Sequence, residues 1–131
     1  MSKDIHRYVH DLQEVIIETL KDYSVCAGRD GSHVGVWVGS KKIAAMGIHI
    51  KRWITKHGFA LNVNNDLDYF AFIHPCGLID RGVISLSGLI CRTIPLEEVM
   101  EKIIEQFSAV FNVPLIKGRH PLVAEYLAPV Y

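Results

Sequence analysis

The chain has 131 residues, enough for one domain that buries roughly two thirds of the surface its unfolded form would expose. Its 14 basic and 14 acidic residues cancel, so nothing in the overall charge favours nucleic acid or an anionic membrane. No apolar run approaches the length of a membrane span, and the start, Met1-Ser2-Lys3-Asp4, has no signal-peptide character. Three cysteines, Cys26, Cys76 and Cys91, with no Cys-x-x-Cys pair, point to a reducing, cytoplasmic setting. Half of the residues are hydrophobic and the mean hydropathy is +0.21, which fits either a well-filled core or a piece that packs against a further polypeptide.

In residues 3–22 the apolar positions Ile5, Tyr8, Val9, Leu12, Val15, Ile16 and Leu20 recur every three or four residues, which predicts an amphipathic helix with Ser2 as its cap. Six acids fall in the first thirty residues. By contrast, Lys41, Lys42, Lys51, Arg52 and Lys56 follow one another between Gly39 and His57 without an acid. Such a stretch suits either an acidic partner or a solvated strand edge.

After a turn at Gly28-Arg29-Asp30-Gly31, residues 34–38 read as a strand, and Gly39-Ser40-Lys41 reverses the chain into a second strand at 42–51. Ile43-Ala44-Ala45-Met46-Gly47 is apolar on both faces, so the second strand is expected inside the sheet. Its small residues admit either a ligand or a closely packed neighbour. Residues 58–63 form the next expected strand, 67–73 are either a short helix or irregular, and 82–86 read as a further strand. Pro95, Glu97 and Glu98 open a closing helix that runs through Val99, Ile103, Phe107 and Val110 until Asn112 and Pro114 stop it. The tail, 117–131, carries two prolines and is expected to be partly flexible.

Two side chains stand out chemically. Pro75 and Gly77 bracket Cys76 at a sharp bend, which presents the thiol, although a buried small hydrophobe is the commoner role for a cysteine. Lys42 opens an apolar strand, where its ammonium is partly desolvated, while Lys41 falls in the turn; a strand-end lysine reaching back to water has the same sequence. A free thiol has a pKa near 8.5, and a cation that lowers it by about two units makes thiolate the dominant form at pH 7.

The segments Gly39-Ser40-Lys41-Lys42-Ile43-Ala44-Ala45-Met46-Gly47, His57-Gly58-Phe59-Ala60-Leu61-Asn62-Val63 and Pro75-Cys76-Gly77, in that order and spacing, resemble the octanoyltransferase family over residues 8–111. The resemblance implies an α/β (α+β) domain of the biotin and lipoate protein ligase type, a mixed sheet with flanking helices, occupying residues 1–131. It also implies lipoyl(octanoyl) transferase activity, in which an octanoyl group passes from acyl carrier protein to a lysine of a lipoyl domain. The lipoyl domains would belong to 2-oxoacid dehydrogenases or the glycine cleavage H protein. Cys76 falls on the family's acyl-thioester residue and Lys42 on the lysine that lowers its pKa, while Ala45, Met46, Gly47, Gly58, Phe59 and Ala60 fall on substrate-contacting positions. No ATP, cofactor or metal is implied.

The family's Arg-Gly-Gly and Tyr-His-Gly-Pro-Gly segments are absent, so the chain resembles the C-terminal part of such an enzyme. It is then either active alone, or a silent fragment or subunit that needs a second chain. A metal site built from His49, His57, His74 and Cys76 matches no compact zinc spacing. A lipoate-activating ligase is disfavoured because such enzymes do not use a cysteine in this turn.

Overall fold

The computed structural model describes residues 4–68 and 82–115. The helical periodicity at the start produces α1 (Ile5–Lys21), with Leu12, Val15, Ile16, Ile17 and Leu20 buried. Its cap is Asp4 rather than the expected Ser2, which lies outside the described residues. The Asp4 side chain accepts a hydrogen bond from the Arg7 N–H at 3.0 Å, and a carboxylate there also suits the positive end of the helix.

Three antiparallel strands follow in the order β1-β2-β3: β1 (Val36–Val38), β2 (Lys41–Lys51) and β3 (Ile54–Leu61). The long second strand is central, as its two-sided apolar character predicted. Between β1 and β2 the pair Val38↔Lys41 closes a two-residue turn with only Gly39 at positive φ (+58°), the geometry that favours glycine at the first turn position. The first strand starts later than expected, since Val34 is exposed rather than paired. β3 starts earlier, at Ile54, because a second two-residue turn, Arg52-Trp53, keeps β2 and β3 in register from Lys51↔Ile54 to Ala44↔Leu61. Exposure of Thr55, Lys56 and His57 removed the alternation that would have revealed this part of the strand.

Residues 82–86 do not form the expected strand. Val83 makes a single parallel bridge to Lys42, and Ser85 then caps a short helix, α2 (Leu86–Ile90), by accepting from the Gly88 N–H at 3.3 Å. The serine alternation was a helix cap rather than a strand. The last helix, α3 (Leu96–Phe111), begins after Pro95 and ends at Asn112, which adopts the left-handed conformation at φ 51° and ψ 49°. Most of residues 67–73, Cys76 and the 117–131 tail lie outside the described residues.

One core joins these elements. Ile16, Ile17 and Leu20 of α1 meet Val36, Ile43, Ala44 and Val63 of the sheet region, together with Leu86, Ile94 and Val99. Each of the Val, Leu and Ile side chains contributes roughly 1.5–3 kcal/mol by leaving water. α3 lies against α1, with Phe107 stacked on Phe111 at 4.4 Å between centroids and Phe111 tilted against Tyr8 at 5.9 Å.

The chain leaving β3 is tied down by side-chain amides. Asn62 donates to the Ile84 carbonyl at 3.2 Å. Asn64 clamps the backbone of Ile94, donating to its carbonyl and accepting from its N–H at 3.0 Å. The segment starting at Gly82 is thereby fixed beside the first residues of β2.

Candidate active site

A β-bulge decides where Lys42 points. Val36 pairs with Ala44 but Trp37 pairs with Lys42, so one step along β1 matches two along β2, and Ile43 is the extra residue. Both Ile43 and Ala44 turn into the core, at 0% and 1% exposure. Residues directly opposite one another across an antiparallel pair share a face, so Lys42 lies on the Trp37 side, opposite the face of Val36 and Ala44. Without the bulge, Lys42 and Ala44 would share a face.

The side chain is held there by two residues. The Lys42 Nζ lies 4.9 Å from the centroid of the Trp37 ring, a cation–π contact, and Trp37 is itself buried, with its Nε1 donating to the His33 carbonyl at 3.3 Å. Beneath the lysine stem is Gly35, where a Cβ would fall 3.2 Å from Lys42 Cε and 2.9 Å from the Ala44 carbonyl oxygen. Only a hydrogen fits there, and φ of +149° also favours glycine. Gly35 is fixed in turn by the buried Gln13, whose Nε2 donates to its carbonyl at 2.8 Å. As a result Lys42 is half-buried while Lys41 is exposed.

Downstream of Lys42, β2 and β3 form an open trough of about 600 Å³. Cross-strand pairs Ala45↔Ala60 and Gly47↔Gly58 put four small residues on one face, and a Cβ added to either glycine would meet nothing within 4 Å. Met46 and Phe59 complete the set, so all six positions named from the sequence line a single trough. His49 and His57 also line it. His57 is backbone-strained, at φ +66° in a strand, a conformation that tends to persist at working sites.

Cys76 lies outside the described residues. The described chain resumes six residues later at Gly82, whose carbonyl accepts from the Lys42 N–H at 3.0 Å, and Ile84 returns a bond to the Lys42 carbonyl at 3.0 Å. The other two thiols, Cys26 and Cys91, are free and exposed. Among the described residues no cluster of three or more His, Cys, Asp or Glu side chains is placed to hold a metal ion, and no helix is long and apolar enough to cross a membrane.

Residues 1–108 match the family model described as the lipoyl protein ligase A/B catalytic domain. The chain belongs to this family. Its relatives within the lipoyl protein ligase A/B family include an octanoyltransferase of Caldanaerobacter subterraneus subsp. tengcongensis, 48% identical over 111 residues that cover 85% of this chain and 48% of the relative. An octanoyltransferase of Caldicellulosiruptor saccharolyticus is 50% identical over 114 residues, 86% of this chain and 48% of the relative. The chain spans about half the length of the curated relatives it matches.

Solved structures show the lipoate-ligase fold. A lipoate-protein ligase A crystallised with ATP superposes with a TM-score of 0.72 at 18% identity, over 97% of this chain and 54% of that one. A bi-partite lipoate protein ligase from Thermoplasma acidophilum gives 0.69 at 20% identity, over 95% and 52%. Gly35 and Trp37, which aim Lys42 in this member of the lipoyl protein ligase A/B family, were not singled out from the sequence. The only trace of the bulge there is the unbroken apolar pair Ile43-Ala44.

Proposed function

We propose that this chain is an acyltransferase of protein lipoylation in the cytoplasm. Cys76 takes an octanoyl group from acyl carrier protein and passes it to a lysine of a lipoyl domain of a 2-oxoacid dehydrogenase or the glycine cleavage H protein. The observation that carries this reading is near-50% identity to proteins named octanoyltransferase. An aligned stretch of 111 out of 131 residues leaves 20 outside it, so it takes in Lys42, both trough strands and Pro75-Cys76-Gly77.

The chemistry proceeds in two balanced steps. The Cys76 thiolate adds to the carbonyl carbon of the donor thioester, a new C–S bond forms, and the donor C–S bond breaks to release the carrier thiolate, which takes its proton from the Lys42 ammonium and leaves Lys42 neutral. The acceptor lysine amine then adds to the same carbon; a C–N bond forms, the bond to Cys76 breaks, and the amine's surplus proton is transferred to a neutral Lys42 acting as base. A thioester is already activated, so no nucleotide is consumed. Lys42 supplies the cation that favours thiolate, its charge poorly screened by solvent on the Trp37 side. The floor formed by Ala45, Gly47, Gly58 and Ala60 accommodates the apolar tail, and strand amides are suited to the oxyanion.

Intact-mass and peptide analysis after incubation with octanoyl-acyl carrier protein tests this. The expected result is one octanoyl group on Cys76, absent in Cys76→Ala. No adduct, or adducts only on Cys26 or Cys91, contradicts it.

A second reading is that transfer requires a further polypeptide supplying the Arg-Gly-Gly and Tyr-His-Gly-Pro-Gly segments. It is favoured by the half-length match to relatives and by the exposed apolar row Leu96, Met100 and Ile104 along α3. An adduct that appears only when such a polypeptide is added distinguishes it from the first.

A further inference from the structure

We propose that the tip of the β2–β3 hairpin is the docking point for the acidic carrier that delivers the acyl thioester. This rests on the transfer reading above. Four observations meet at the tip.

First, the turn residues are costly ones. Arg52 and Trp53 occupy both central positions of the turn, with φ of 51° and 64°, where Asn-Gly would be nearly free of strain. A turn that served only to connect two strands would not need an arginine and a tryptophan in left-handed conformations.

Second, large apolar side chains face water: Trp53 is 56% exposed and Ile54 66%. An aromatic beside an arginine is the composition that anchors protein interfaces.

Third, the hairpin's own charges have one sign. Lys51, Arg52 and Lys56 are exposed there, and no Asp or Glu occurs between Gly39 and Leu61, so an acidic protein surface is the complementary partner.

Fourth, the hairpin is continuous with the trough, whose far walls, His49 and His57, lie a few residues from the turn. Lys51 is nine residue steps along β2 from Lys42, about 30 Å at strand spacing. A small domain of about 80–100 residues has a similar diameter, so one anchored at the tip covers the trough. An acyl group on a flexible tether crosses the remaining gap, whereas an acceptor lysine must bring its own surface to the sulfur. The tip therefore suits the donor.

The test is calorimetric titration of the chain with octanoyl-acyl carrier protein at low salt. Trp53→Ser and Arg52→Glu are each expected to weaken binding about tenfold or more, Lys21→Glu on α1 to leave it unchanged, and added salt to weaken the wild type. The double replacement Arg52→Asn with Trp53→Gly preserves the turn and is expected to lose binding while the chain stays folded. Failure of the wild type to bind, binding unaffected by the tip variants, or loss of lipoyl-domain binding instead overturns the inference. Formation of a Cys76 adduct from a small octanoyl thioester reports on the transfer reading separately, so the two can fail independently.

Discussion

Lys41 and Lys42 are adjacent and chemically identical, yet one is in water and the other lies half-buried over an indole. The difference is produced by Gly35, Trp37 and one extra residue in the β2 ladder. Gly35→Ala is expected to destabilise the chain by about 2 kcal/mol or more, since the new methyl group would press on the Ala44 carbonyl, and to displace Lys42; denaturant melts measure the first effect.

At the α1–α3 contact, the hydroxyl of Tyr23 is buried without a hydrogen-bond partner. Burial, reinforced by the nearby Glu98 carboxylate, pushes its pKa up to about 12. The unfolded phenol loses its proton near pH 10, so between about 10 and 12 the folded state holds more protons and stability falls as pH rises. Thermal melts from pH 9 to 12 are expected to show this fall in the wild type and a shallower one in Tyr23→Phe.

At the scale of elements, the long helices were legible because each has a face that repeats at 3.6 residues and ends in a recognisable cap or stop, as at Asn112. Lys42 stood out locally, at the start of a strand apolar on both faces, whereas the role expected of it and the six trough positions were legible only through the family resemblance. What was not legible depended on pairing across the sheet: the start of β3 among charged residues, the bulge, and the slot made by Gly35 and Trp37. Ser85 misled because a capping serine followed by a leucine has the same local alternation as a strand. The strained hairpin turn offers a direct check. Replacing Arg52-Trp53 by Asn-Gly should stabilise the chain by about 1–2 kcal/mol in denaturant melts, and no gain would mean that the left-handed turn is not strained.

At the scale of the whole molecule, the core is centred on α1, and Ile16→Ala is expected to cost about 2–5 kcal/mol, read from the same melts. The apolar surplus in the composition divides between this core and the row Leu96, Met100 and Ile104, which α3 presents to solvent. The family and its fold could be read from short segments, two of which build the Lys42 strand and its trough rather than scattered core positions. The half-length match to relatives gives the second reading of the function its weight.

The proposed transfer requires Lys42 to keep the Cys76 sulfur ionised. Site-resolved alkylation by iodoacetamide across pH 5–10 measures this directly, with the exposed thiols Cys26 and Cys91 as comparisons in the same molecule. Cys76 is expected to react with a midpoint about two units below the ordinary thiol value of 8.5, and Lys42→Ala to return it most of the way. A Cys76 profile that matches those of Cys26 and Cys91, and does not change in Lys42→Ala, would contradict the account.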